Sequence, residues 1–206
     1  MSGSDRRTRG GRTGRALAIA IAVGAVSAAC SDAGNDPSAQ SGFVAGDPAS
    51  TFVQVADREP APDLTGPLLG GGTYSLATDR GDDIVVVNVW GSWCGPCRSE
   101  AAALEEVYQE VKDKGVQFLG INTRDQEAQA LAFVAHKGIT YPSLVDDGAM
   151  QAGFASSLPV AGIPTTFVID RSGGVAARTV SEVSYASLLE VVEAVLAEDE
   201  TTGLGR

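Results

Sequence analysis

Two cysteines stand three residues apart in the run Trp93-Cys94-Gly95-Pro96-Cys97. At that spacing two thiols can close a disulfide, and the chemistry such a pair performs is thiol–disulfide exchange. Upstream, Ile84-Val85-Val86-Val87-Asn88-Val89-Trp90 reads as a buried strand; downstream, Leu104, Val107, Tyr108 and Val111 recur at helical spacing. Cys94 therefore falls at the tip of a helix, where unpaired N–H groups and the helix dipole favour a thiolate. Cys97 lies one turn on. The pattern predicts an exposed, low-pKa attacker in Cys94 and a sheltered resolving thiol in Cys97. Two plainer readings compete. A closed zinc site needs about four ligands, yet the chain holds only one further cysteine, Cys30, and one histidine, His136, so no metal site is expected. A purely structural C-x-x-C closes too short a loop to stabilise much.

Elements on either side must hold the pair. Gly72–Leu76 reads as a short strand, Pro96 to about Lys112 as the first long helix and Val116–Asn122 as the next strand. Asp125–Lys137 reads as a helix stopped by Gly138, Tyr141–Val145 as a strand and Gly148–Ser156 as a weak helix. Thr165–Ile169 and Val175–Val180 flank the turn signal Arg171-Ser172-Gly173-Gly174, and a last helix lines up Leu188, Val191, Val192, Val195 and Leu196. Strand–helix alternation followed by a hairpin and a helix predicts an α/β fold with a mixed sheet.

The N-terminus reads differently. Arg6, Arg7, Arg9, Arg12 and Arg15 precede an uncharged run from Ala16 to Ala29 that is too short for an ordinary membrane span. Residues 1–29 are expected to be a signal peptide. The run ends Val26-Ser27-Ala28-Ala29-Cys30. Small residues ahead of a cysteine resemble a bacterial lipobox, although Ser27 stands where Leu is commonest, and Cys30 would then be the lipidated first residue of the mature chain. An ordinary signal with an incidental Cys30, or an uncleaved anchor, are the alternatives. Residues 30–55, rich in Ser, Gly, Ala, Asp and Pro, read as a flexible tether. Residues 56–199 read as the folded domain and 200–206 as a disordered tail. After residue 29 the chain holds ten basic and 25 acidic residues. No basic face is on offer to neutralise phosphates, so no nucleic-acid partner is expected.

Two motifs carry a resemblance. Val87-Asn88-Val89-Trp90-Gly91-Ser92-Trp93-Cys94-Gly95-Pro96-Cys97-Arg98-Ser99-Glu100 and Gly162-Ile163-Pro164-Thr165-Thr166-Phe167-Val168-Ile169-Asp170 resemble the thioredoxin superfamily. Within it they resemble the TlpA/ResA-like membrane-anchored thiol–disulfide oxidoreductases, over roughly Asp57 to Ala197. The resemblance implies a thioredoxin-like fold: a central mixed sheet flanked by helices, a short N-terminal β extension and a strand–helix insert at 115–147. It implies a cis Pro164 facing the dithiol, with Ile163 offering backbone groups to a substrate strand; a trans turn proline is the alternative. Gly95-Pro96, as in thioredoxin, implies a pair that reduces its substrates. Trp93 would shield the dithiol and touch substrate, while Trp90 packs in the core. Asn88 replaces the buried acid of thioredoxins. That leaves Glu100 as the carboxylate to move protons for Cys97, against the alternative of an early helix charge on the dipole. Ala102 replaces a helix-kinking proline, and His136 reads as a helix-end cation.

The implied function is protein disulfide reduction in cytochrome c maturation, on the extracytoplasmic face of a bacterial membrane. The protein would be a lipid-anchored monomer with no cofactor beyond its own dithiol. Its substrates would be disulfide-bearing proteins, apocytochrome c among them, and a CcdA- or DsbD-like membrane protein would return its electrons. The rivals are a general exported disulfide reductase or oxidant, a Sco-like copper-handling module and a non-catalytic lipoprotein. The copper module needs C-x-x-x-C and a downstream histidine, which C-x-x-C and a lone His136 do not supply. A peroxiredoxin is disfavoured for want of a Pro-x-x-x-Thr-x-x-Cys pattern.

Overall fold

The computed structural model describes residues 50–156 and 159–202. Cys30, the signal segment, most of the tether and residues 203–206 lie outside that range. The elements, in order, are β1 (Ser50–Phe52), β2 (Thr65–Pro67), β3 (Thr73–Ser75), α1 (Leu76–Asp79), β4 (Ile84–Trp90), α2 (Gly95–Val111), β5 (Val116–Thr123), α3 (Glu127–Lys137), β6 (Ser143–Asp146), α4 (Ala149–Gly153), β7 (Thr165–Ile169), β8 (Val175–Val180) and α5 (Tyr185–Thr202).

One six-stranded sheet, in the order β1-β8-β7-β4-β5-β6, organises the chain. β4 runs parallel to β5 and antiparallel to β7, so the sheet is mixed. All seven residues of β4 are buried, as expected of a strand covered on both faces. Alternate side chains serve opposite layers. Ile84 and Val86 pack with Leu104, Val107 and Val111 of α2 and Leu188, Val192 and Val195 of α5. Val85, Val87 and Val89 pack with Leu64, Phe154 and Phe167 on the other side. Each such buried aliphatic contributes about 1.5–3 kcal/mol, so β4 is fixed firmly and its C-terminal end is a rigid mount for the turn beyond Trp90. Among the described residues no helix is long and apolar enough to cross a membrane.

Three boundaries differ from expectation. The tether, expected through residue 55, ends earlier: β1 pairs antiparallel with β8. The Ser50 and Thr179 hydroxyls are 2.8 Å apart, and the Arg58 guanidinium sits 5.5 Å over the Phe52 ring. Arg58, whose side chain is buried, also pairs with Asp170 and Glu198. Composition hid this segment because a three-residue edge strand carries no readable period. At the other end α5 runs to Thr202, past residue 199, where the helix was expected to give way to a tail. α3 starts at Glu127 rather than Asp125, because the chain is still extended at its N-cap Gln126 (φ −90°, ψ 126°).

Candidate active site

The chain leaves β4 at Trp90, turns through Gly91-Ser92-Trp93 and enters α2 with Cys94 as its N-cap. The entry is local in origin. Cys94 keeps an extended backbone (φ −81°, ψ 121°) while its sulfur accepts the Cys97 N–H at 3.2 Å. Pro96, at the second helical position, costs no hydrogen bond because its missing N–H would be an orphan. Cys94 and Cys97 form a disulfide with their Cα atoms 5.3 Å apart. The contrast between an exposed and a sheltered cysteine is not seen in this oxidised state, where Cys94 is 5% and Cys97 2% exposed. Both sulfurs share an apolar cluster with Trp90, Ala130, Phe133 and Ile163, and that packing covers Cys94.

The Ile163–Pro164 bond is cis, as the resemblance implied. Pro164 is buried at the head of β7 and its carbonyl accepts the Ser181 N–H at 3.1 Å. Trp93 is 53% exposed. Its ring folds back over Gly91, where a Cβ would lie 2.7 Å from Nε1, and Nε1 donates to the Thr123 carbonyl at 3.3 Å. Trp93 and Ile163 thus face each other across an open groove of about 220 Å³ completed by Thr123, Arg124 and Gly162. Trp90 is a core residue: it donates to Ser143 Oγ at 3.2 Å and packs on Phe133 at 5.2 Å.

Glu100 is not a surface charge on the helix dipole. It lies in the second turn of α2, only 2% exposed. Asn88 Nδ2 donates to its Oε1 at 2.8 Å, and the Val183 N–H donates to its Oε2 at 2.9 Å. Asn88 also donates to Thr166 Oγ1 at 3.1 Å. Burial raises the Glu100 carboxyl from 4.5 to about 7; the donors from Val183 and Asn88 pull the other way and lose, while Glu182 adds to the rise. A small cavity of about 10 Å³, lined in part by Asn88, Cys97, Ala101 and Tyr141, lies alongside. Trp90, Leu104, Phe133 and Ile139 complete its lining, so it is mainly apolar. Tyr141 stays a neutral phenol, its pKa pushed up by burial and by Glu100 and Glu105.

Sequence reading missed Asp125. Its carboxylate accepts the Ser92 N–H at 2.6 Å, the Ser92 hydroxyl at 2.8 Å, Asn122 Nδ2 at 3.0 Å and the Gln126 N–H at 2.9 Å. Burial pushes this carboxyl up, but those donors outweigh it and hold it below the ordinary range. Asp125 thereby pins the turn that presents Cys94 to the end of β5. The available signal was topological: in parallel sheets sites gather beyond the carboxyl ends of adjacent strands, and Thr123-Arg124-Asp125 follows the strand next to β4. His136 lies exposed in the last turn of α3.

This geometry has counterparts. The model of the AhpC/TSA family matches residues 58–178. The chain is 34% identical over 121 residues to the thiol–disulfide oxidoreductase ResA of Geobacillus kaustophilus, covering 59% of this chain and 67% of that protein. It is 32% identical over 151 residues to the thiol:disulfide interchange protein HelX of Rhodobacter capsulatus, covering 73% and 82%. Among solved structures, a secreted thiol–disulfide isomerase from Corynebacterium glutamicum superimposes with a TM-score of 0.67 at 34% identity, covering 76% of this chain and 96% of that one.

Proposed function

The chain belongs to the AhpC/TSA family and is a thiol–disulfide oxidoreductase of the ResA type, and we propose that it reduces the disulfides of exported proteins, held at the membrane by a lipid on Cys30. The observation that carries this reading is the Cys94–Cys97 pair at the tip of α2, beside a groove walled by Trp93 and Ile163. In the reduced enzyme the Cys94 thiolate attacks one substrate sulfur. The substrate S–S bond breaks, a mixed disulfide forms, and the departing sulfur leaves as a thiolate that takes up a proton. Cys97 then loses its proton and attacks Cys94 Sγ, releasing the second substrate thiol. Two electrons and two protons pass to the substrate and the Cys94–Cys97 bond closes.

The helix N-terminus and the Cys97 N–H stabilise the Cys94 thiolate. Glu100, one turn from Cys97 and raised to about 7, is suited to take and return the Cys97 proton near neutral pH. Trp93 and the Ile163–Pro164 segment hold the substrate strand. No cofactor beyond the dithiol is required by this cycle, and one domain suffices, so the working unit is a monomer. We assign apocytochrome c haem-site cysteines as substrates and a CcdA- or DsbD-like membrane protein as donor, on the resemblance to TlpA/ResA-like reductases. Anchoring through Cys30 would place the site on the extracytoplasmic face. The likeness to a secreted isomerase favours a second reading, a general exported oxidoreductase, and the reduction potential separates the two.

Trapping tests the assignment. Cys97→Ala in the full chain should accumulate mixed disulfides through Cys94, with apocytochrome c peptides among those identified by mass spectrometry. Cys94→Ala should accumulate none. Equal trapping by both variants would overturn the roles given to the two cysteines.

A further inference from the structure

The groove beside the dithiol has one charged wall. Of its five lining residues only Arg124 carries charge. Arg124 is exposed and makes no ion pair or side-chain hydrogen bond with any described residue. The carboxylates nearest in sequence are engaged. Asp125 accepts from Ser92, Asn122 and Gln126, Asp146 accepts the Met150 N–H, and Asp147 accepts the Ala149 N–H. Arg98, the other cation close to the cysteines in sequence, donates to the Ser92 carbonyl at 3.1 Å.

The backbone directs the Arg124 side chain. Its φ is 50°, in the left-handed region that a long side chain rarely occupies. The Arg124 N–H donates to the Asp146 carbonyl at 3.1 Å, which holds the residue there. The guanidinium lies over Gly148, where a Cβ would meet Nη2 at 3.4 Å and Nε at 3.6 Å. A residue kept in an uncommon conformation at the rim of a reacting centre is where function is to be sought. The chain after residue 29 is strongly acidic, yet at physiological salt charges farther off than about 8 Å are largely screened. Contact chemistry at the groove then decides. A free planar guanidinium matches a carboxylate with two parallel hydrogen bonds.

We infer that Arg124 is a specificity-determining residue, taking an aspartate or glutamate side chain of the substrate strand that lies in the groove. The substrate class is thus a protein disulfide with an acidic residue close by. An extended strand advances about 3.3 Å per residue, so the acid falls within a few residues of the attacked cysteine. The inference rests on the disulfide-reductase reading of the same site.

Three synthetic peptides test it, each with one intramolecular disulfide and identical except for Glu, Gln or Lys beside a cysteine. The pre-reduced full chain is mixed with each at physiological ionic strength and neutral pH. Each second-order rate is divided by that peptide's rate with dithiothreitol, which removes differences in intrinsic reactivity. The wild type should favour the Glu peptide over the Gln peptide about three- to fivefold, the scale of a partly exposed ion pair, and should disfavour Lys. Arg124→Gln should bring the Glu-to-Gln ratio near one, and Arg124→Glu should reverse the preference toward Lys. A wild type that reduces all three peptides equally, or a preference that survives Arg124→Gln, overturns the inference and leaves the reductase reading standing. Failure to reduce any peptide overturns both.

Discussion

Replacing Glu100 by Gln should flatten the pH dependence of stability, and the size of the effect comes from the burial of this one carboxyl. In the folded chain burial raises it from 4.5 to about 7. Each tenfold gain in proton affinity corresponds to about 1.4 kcal/mol. Because the folded state holds the proton more tightly than the unfolded state, the contribution is fully present below pH 4.5 and is lost as pH rises through about 7. The total is about 3 kcal/mol. Gln cannot ionise, so the variant lacks this loss. It has its own cost: one carbonyl must serve where two oxygens accept from Asn88 and Val183, and its amide faces the other donor, at about 1–3 kcal/mol. That cost does not vary with pH.

The two terms oppose each other, and their balance shifts across the pH range. At pH 5 the variant should be the less stable protein; by pH 8 the gap should close or reverse, moving by about 2.5 kcal/mol in its favour. Urea unfolding of the oxidised protein at several pH values reads this directly. Every other titrating group is common to both chains and drops out of the difference. Parallel pH profiles for wild type and Glu100→Gln would refute the reasoning, because they would mean that Glu100 titrates in the folded state as it does in the unfolded chain.

Two further outcomes concern the anchor and the core beneath the site. Cys30→Ala in the full chain should shift the protein from the membrane fraction to the medium on fractionation; membrane retention at full precursor length would show an uncleaved anchor instead. Gly120→Ala should destabilise the domain by about 1–3 kcal/mol or more, since the new Cβ would lie 2.1 Å from Ser143 Oγ and 2.7 Å from Trp90 Nε1. Thermal unfolding within about 0.5 kcal/mol of wild type, the range of an inconsequential surface change, would show that the Trp90–Ser143 contact yields easily.

The features legible in the sequence and those hidden from it divide along the range of the interactions. The dithiol was readable because spacing and strand–helix periodicity are local: β4 is a run of apolar residues, and α2 repeats them every three to four positions. The cis Pro164 was readable from a motif. The environment of Glu100 was not. Its second donor, Val183, lies 83 residues away, and neither composition nor period says that the turn after β8 will meet α2. Asn88 shows the same limit from the other side. By comparison with thioredoxin it is an acid lost; in the fold it is the amide that binds Glu100 and Thr166 together. The buried acid has moved from the strand to the helix, and the strand residue has become its donor. A carboxylate with two buried donors has too few to offset its desolvation, so its raised pKa is a product of the partner count that only the tertiary fold sets. Asp125 is the counterexample within the same site: less deeply buried and with four donors, it is held below the ordinary range. The two carboxylates therefore differ by environment alone: Asp125, held below the ordinary range, fixes the turn that carries Cys94, while Glu100, raised to about 7, has the proton affinity that the proposed exchange with Cys97 requires.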